Sequence, residues 1–131
     1  MKKLAVLSLS LLFALPGFAK GLSAAETNAK ALEILIDSAS AITLEGDVRS
    51  DEKLSAILSR AMISAGQGAA TIKNNCIFVS YDGIFECHLD IQHLIDGVSY
   101  GETVISYETF ADKDGAPDKM LINKVRVSRG H

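Results

Sequence analysis

The chain has 131 residues, with 13 lysines and arginines against 16 aspartates and glutamates, two cysteines, no tryptophan and a net charge of −3 with neutral histidines. A mildly acidic chain is repelled on average by nucleic acid and by anionic lipid, so neither is the expected main partner. The length suits one domain, large enough to bury a modest core without a structural metal and too short for several.

Residues 1–19 read as a secretory signal peptide. Lys2 and Lys3 precede an uncharged apolar run from Leu4 to Leu15, followed by Pro16-Gly17 and the small residue Ala19, which is the order of charged region, apolar region and cleavage site. A helix needs ~20 apolar residues to cross a bilayer, so this shorter run, broken by Pro-Gly, is expected to be a leader and no stable membrane anchor. Cleavage after Ala19 leaves residues 20–131 as a single small exported α+β domain. The leader carries two of the basic residues, which leaves eleven against sixteen acids and a net charge of −5. The Met-Lys-Lys start has a bacterial style, which makes the periplasm the expected location and release from the cell the alternative.

Beyond the leader the pattern divides near Gly66-Gln67-Gly68. Ser23 with Glu26 three residues on fits a capping box and starts a helix, whose expected apolar stripe is Ala25, Ala29, Leu32, Ile36 and Ala39, with Leu35 beside it, to about Ile42. A second cap is expected at Ser50, with Asp51 and Glu52 at the positive end of the helix dipole. Its stripe is Leu54, Ile57, Leu58, Ala61 and Met62, and Gly66 is its expected stop. The joining segment Glu45–Arg49 is short, which predicts a hairpin or bent pair of helices.

From Ile72 onward β-branched and aromatic residues dominate, with turn signals at Tyr81-Asp82-Gly83, Asp96-Gly97 and Asp112–Asp118. Four strands are expected, at about 72–80, 84–93, 98–110 and 119–128, and the short connections favour an antiparallel meander. The expected architecture is therefore two N-terminal helices packed on one face of a four-stranded antiparallel sheet, with one hairpin disulfide.

The disulfide follows from register. A two-residue loop at Tyr81-Asp82 sets Phe78 against Phe85 and Cys76 against Cys87, within reach of a bond at a non-hydrogen-bonded site. The same register places Cys76, Phe78, Phe85, Cys87, Leu89 and Ile91 on one face and Glu86, His88, Asp90 and Gln92 on the other. A turn at Asp82-Gly83 keeps the faces but offsets the cysteines by two positions. In an oxidising compartment two cysteines with no third are expected to pair, and their ten-residue spacing is not that of a Cys-x-x-Cys thiol oxidoreductase. In the third strand Val98, Tyr100, Val104 and Phe110 share one parity while Ile105 and Tyr107 have the other, which a bulge at Gly101 reconciles. In the fourth, Leu121, Val125 and Val127 are expected inward and Lys124 and Arg126 outward, with these cations lying against acids such as Glu102 and Glu108.

Chemistry is sparse. His88 and His93 are five residues apart on one strand and point to opposite faces, so they cannot hold one metal together, and His131 is expected to be disordered rather than catalytic. Glu86, His88 and Asp90 form a polar row, best read as a solvated face rather than a metal or base site. Asp112–Asp118 has the oxygens and glycine of part of a calcium loop, but position twelve from Asp112 is Asn123 and not a glutamate, so a turn-rich hairpin loop is expected. There is no nucleophile elbow and no glycine-rich strand-to-helix turn. No catalytic residue, cofactor or metal ligand is therefore assigned, and an enzyme is the least favoured class. The expected function is a non-enzymatic cell-envelope binding protein, of the inhibitor, immunity or assembly-accessory type, acting on another envelope protein. The alternative is a small-ligand carrier or sensor with an apolar pocket between helices and sheet.

Overall fold

The computed structural model describes residues 22–120 and 124–130. The leader, Leu121 and His131 lie outside these residues. Helix α1 spans Ala24–Ser38 and runs into a 3-10 turn at Ala39–Ala41; strand β1 is Thr43–Gly46 and helix α2 is Leu54–Gly66. Strands β2 (Ala70–Val79), β3 (Ile84–Ile95), β4 (Val98–Ala111), β5 (Pro117–Met120) and β6 (Lys124–Gly130) complete the chain.

The sheet is mixed and has six strands, in the order β1-β6-β4-β3-β2, with β5 pairing on β4. The meander of β2, β3 and β4 is antiparallel as the turn signals predict, but the four-stranded antiparallel sheet is corrected in two respects. First, the segment between the helices is no simple turn: β1 runs parallel to β6, with Leu44 opposite Val125 and Gly46 opposite Val127. Four residues are too few to show alternation against a helix that ends beside them. Gly46 sits at φ +92°, and a side chain there would collide with the Val127 carbonyl, so close passage of the two strands requires glycine. Second, the predicted last strand is two: β5 pairs with Thr109 and Ala111, whereas β6 pairs with Glu102–Ser106 in a different register.

Both helices lie on the inner face of the sheet, α1 against β2 and β5 and α2 against β2. The core joins Ala31 and Leu35 of α1, Leu54, Ile57, Leu58 and Ala61 of α2, and Cys76, Phe85, Cys87, Leu89, Ile91, Ile105, Tyr107, Val125 and Val127 of the sheet. Ser23 and Glu26 make both bonds of the capping box. The α1 stripe is rotated from the expected one, however. Thr27, Ala31, Leu35 and Ala39 are buried, whereas Ala25, Ala29 and Ile36 face solvent. The spacing of four is preserved, and alanines on two adjacent faces make the alternatives nearly equal in hydrophobicity; packing on β5 selects between them. For α2 the expected residues are buried except Met62, which is half exposed. Its cap is Lys53, not Ser50, and no side chain caps it, because an ammonium group has no oxygen to accept a first-turn N–H.

Cys76 and Cys87 face each other in the β2–β3 ladder and are joined by a disulfide. The turn holds Ser80–Gly83, with the Asp82 and Gly83 N–H groups donating to the Val79 carbonyl. The register is that of the Tyr81-Asp82 alternative. Parity in β4 resolves in favour of Thr103, Ile105, Tyr107 and Thr109 as the inward set. His93 pairs with Gly101 but Leu94 with Ser99, so Tyr100 is the extra residue of a bulge beside Gly101.

Candidate functional site

The two longest strands outrun their neighbours. β2 begins at Ala70, opposite His93, and the last pair of β6 with β4 is Gly130 with Glu102. From Leu94 to Tyr100, β3 and β4 therefore continue as a two-stranded finger with no flanking strand among the described residues. One hydrogen bond, from the Leu94 N–H to the Ala69 carbonyl, braces its root. Asp96 and Gly97 both have positive φ, 53° and 80°, as a two-residue type I′ turn requires. The twist of that turn matches the strands, so the finger is set by its own hairpin rather than by burial.

Its side chains are unusual for a surface. Ile95 and Val98 oppose each other at the tip and are 62% and 68% exposed, and Tyr100 is 56% exposed. Ile95 continues the inner parity of Leu89 and Ile91, past the point where α2 can cover it. Met62 and Ile63 of α2, Ile77 of β2 and Tyr81 in the first hairpin turn are exposed as well. Single exposed apolar residues are ordinary on protein surfaces; what sets the finger apart is three of them close together on one unflanked hairpin.

The outer face of the sheet is mostly polar, with Ile77 and Phe110 as exposed apolar exceptions, and bears neither helix. Across it, His88, Ser106, Arg126 and Glu45 stand in one row of directly opposed residues. His88 Nδ1 and Ser106 Oγ are 3.0 Å apart, and a shallow depression of about 280 Å3 is lined by Glu45, Glu86, His88, Ser106, Glu108 and Arg126 among others. A histidine beside a serine hydroxyl is part of a nucleophilic pair, but the other parts are missing here. No carboxylate bonds His88 among the described residues, and in mid-sheet the backbone N–H groups are engaged in the ladders, leaving no oxyanion donors. His93 points to the inner side, where its Nε2 meets the Thr103 hydroxyl at 2.8 Å. The two histidines are thus on opposite faces. Among the described residues no three His, Cys, Asp or Glu side chains gather as metal ligands.

The Asp112–Asp118 segment is closed on itself. One Asp112 carboxylate oxygen accepts from the N–H groups of Asp114 and Ala116 at 2.9 Å each, and the Asp112 backbone exchanges further bonds with Gly115 and Ala116. This is the geometry of an Asx turn, as expected of a turn-rich hairpin loop.

Two polar networks hold the scaffold. Beside the disulfide, the Tyr107 hydroxyl donates to Asn74 Oδ1 at 2.8 Å, Asn74 Nδ2 donates to the Asn28 carbonyl at 2.8 Å, and the Cys76 N–H donates to Asn28 Oδ1 at 3.0 Å. That last bond satisfies an edge group of β2 and ties α1 to it. Burial pushes the Tyr107 hydroxyl well above the usual tyrosine range, against the opposing effect of the bond to Asn74.

At the opposite edge, Glu52 accepts from Arg129 at 2.9 and 3.1 Å, from Arg60 at 3.4 Å and from the Arg49 N–H at 3.2 Å. The Arg129 bonds hold its carboxyl below the usual glutamate range, against the upward push of burial. Arg129 also donates to the Asp47 carbonyl, so this cluster ties the end of β6 to the segment between β1 and α2. The expected pairing of β6 cations with Glu102 and Glu108 is corrected: Lys124 lies 3.3 Å from Glu45 on β1, Arg129 goes to Glu52, and Glu102 accepts from Gln92. The parallel strand β1, which the sequence does not announce, supplies the nearer acid.

What the fold and these surfaces define is a small α+β domain with a mixed sheet, a disulfide-stapled hairpin and an apolar finger. No protein-family model matches the chain, and no curated protein and no solved structure matches it. The disulfide and the lack, among the described residues, of a helix long and apolar enough to cross a membrane are compatible with a place outside the cytoplasm.

Proposed function

We propose that the protein is a non-enzymatic binding protein of the cell envelope, of the inhibitor, immunity or assembly-accessory kind, which holds another protein through the finger of β3 and β4. The observation that carries this reading is the exposure of Ile95, Val98 and Tyr100 on a hairpin whose turn and bulge fix its shape. A preshaped hairpin loses little conformational freedom on docking, so its apolar area can be turned into affinity. Aromatic and branched side chains set on such a support are the usual anchors of an interface.

The test is affinity capture from envelope extracts, with the oxidised protein and a variant carrying Ile95→Ser, Val98→Ser and Tyr100→Ser run side by side. Recovery of one protein in stoichiometric amount by the wild type, and its loss with the variant, is the expected result. Equal recovery by both moves the contact away from the finger.

A small-ligand carrier is the second reading, favoured by a space of about 470 Å3 between Ala39–Leu44 and Val48–Ser55. Ile42, Leu44 and Val48 form its apolar side, and Arg49, Lys53, Ser50, Ser55 and Glu52, the last already held by Arg129, its polar rim. This space opens beside β1 and not between helices and sheet. A thermal shift with short amphipathic carboxylates that is lost on Leu44→Trp would favour the carrier over the finger.

A further inference from the structure

We propose that the outer face of the sheet docks on the same face of a second copy of this chain, forming a reversible two-fold dimer. The proposal is independent of the finger, which extends the inner face.

Three observations lead to it. β3 and β4 carry no lysine or arginine, and their four acids, Glu86, Asp90, Glu102 and Glu108, all project from the outer face. Glu86 and Glu108 are directly opposed, an arrangement that is locally repulsive. The next strand in the sheet, β6, shows the opposite sign on the same face, with Lys124 and Arg126 outward.

The charges within one copy are only partly matched: Arg126 stands beside Glu45 in the β1–β6 pair, while no cation is paired with Glu86 or Glu108 among the described residues. Lys124 is held by Glu45 on the far side. Among the described residues Arg126 is in no ion pair within 4.0 Å. An acidic band beside a basic strand on one open face is self-complementary, as an isologous interface must be.

A two-fold axis parallel to the strands and passing between β4 and β6 lays β6 of each copy over β4 of the other. Such an axis preserves height along the strands. Arg126, level with Ser106 in its own sheet, then arrives over Ser106 of the second copy, with Glu108 of that copy two residues along, ~7 Å away and within reach of a long side chain. The relation is reciprocal, so two Arg126–Glu108 contacts form about the axis.

With the axis between β4 and β6, the four strands β1, β6, β4 and β3 overlap and β2 lies outside; at ~4.8 Å spacing and about seven residues of shared length they give a patch of at most roughly 450 Å2 on each copy. Specific interfaces bury about 800 Å2 per partner, and this face is mostly polar, so the expected dimer is weak and salt-sensitive.

The experiment is sedimentation equilibrium of the oxidised protein at ~0.05 M and ~0.5 M salt, where screening lengths differ about threefold. The wild type is expected to dimerise at low salt and to lose at least about tenfold in affinity at high salt. Arg126→Glu and Glu108→Arg should each be monomeric at low salt, because each turns two attractive contacts into repulsive ones. Mixed in equal amounts, they should associate again, since the mixed pair restores opposite charges at both contacts. Arg126→Lys should retain the dimer, and circular dichroism melts establish that each variant is folded. A wild type that stays monomeric at low salt up to about 0.5 mM overturns the proposal. So does a dimer that survives both reversals, or reversed variants that do not associate when mixed.

Discussion

The β3–β4 hairpin is two things along its length. At its base, between Ile84 and His93 on one strand and between Glu102 and Phe110 on the other, it is flanked by β2 on one side and by β5 or β6 on the other, and its inner residues are buried under the helices. At its tip, from Leu94 to Tyr100, the same two strands lose both neighbours, and residues of the same apolar type stand in solvent. Leu89 and Ile91 are 1% exposed, while Ile95, on the same parity of the same strand, is 62% exposed. Hydrophobic side chains at the base hold the fold; at the tip they contribute almost nothing to it. Apolar area that does not serve stability is available for contact with another molecule.

Substitutions can break this comparison in order of size. Phe85→Ala at the base removes the largest fully buried side chain and should destabilise by about 3–5 kcal/mol, seen as a fall of 15 °C or more in a thermal melt. A loss below about 1 kcal/mol would mean that the base is not the stabilising part.

Tyr107→Phe deletes the donor to Asn74 and leaves a half-buried amide oxygen unpaired, with an expected cost of about 1–3 kcal/mol in urea unfolding. Its pH dependence has a definite sign. The folded hydroxyl titrates above the unfolded one, so its contribution is whole below about pH 10 and is lost as pH rises from there towards the folded value. The alkaline fall in stability should therefore be shallower in Tyr107→Phe than in the wild type. Equal slopes would show that the hydroxyl is not held as described.

The smallest effect belongs to the tip. Ile95→Ser, Val98→Ser and Tyr100→Ser together should shift stability by about 1 kcal/mol or less, as exposed substitutions do. A large loss would make the finger part of the scaffold.

The legible parts of the sequence are those where two signals agree. In the first hairpin the pairing of Cys76 with Cys87 and the alternation of Phe85, Cys87, Leu89 and Ile91 demand one register, and that register is found. The capping box at Ser23 was equally readable, because both of its partners are local. β1 was not, since Thr43–Gly46 has too few residues for a period and gains its meaning only from β6, some eighty residues away. The rotation of α1 escaped because Thr27, a buried polar residue, breaks the apolar pattern that would reveal its true face. For the finger, Asp96-Gly97 signalled the turn and Gly101 the bulge. The exposure of Ile95, Val98 and Tyr100 depends instead on where β2 and β6 stop, which no property of those three residues records.

Site-specific photo-crosslinking tests the central claim most directly. A benzophenone side chain at Val98, on the finger, is compared with one at Lys30, on the exposed side of α1, each in the oxidised protein mixed with envelope extract. The account predicts a discrete adduct with one other protein from position 98 and none from position 30. Adducts from position 30 with none from position 98 would contradict it and place the contact surface on the helical side.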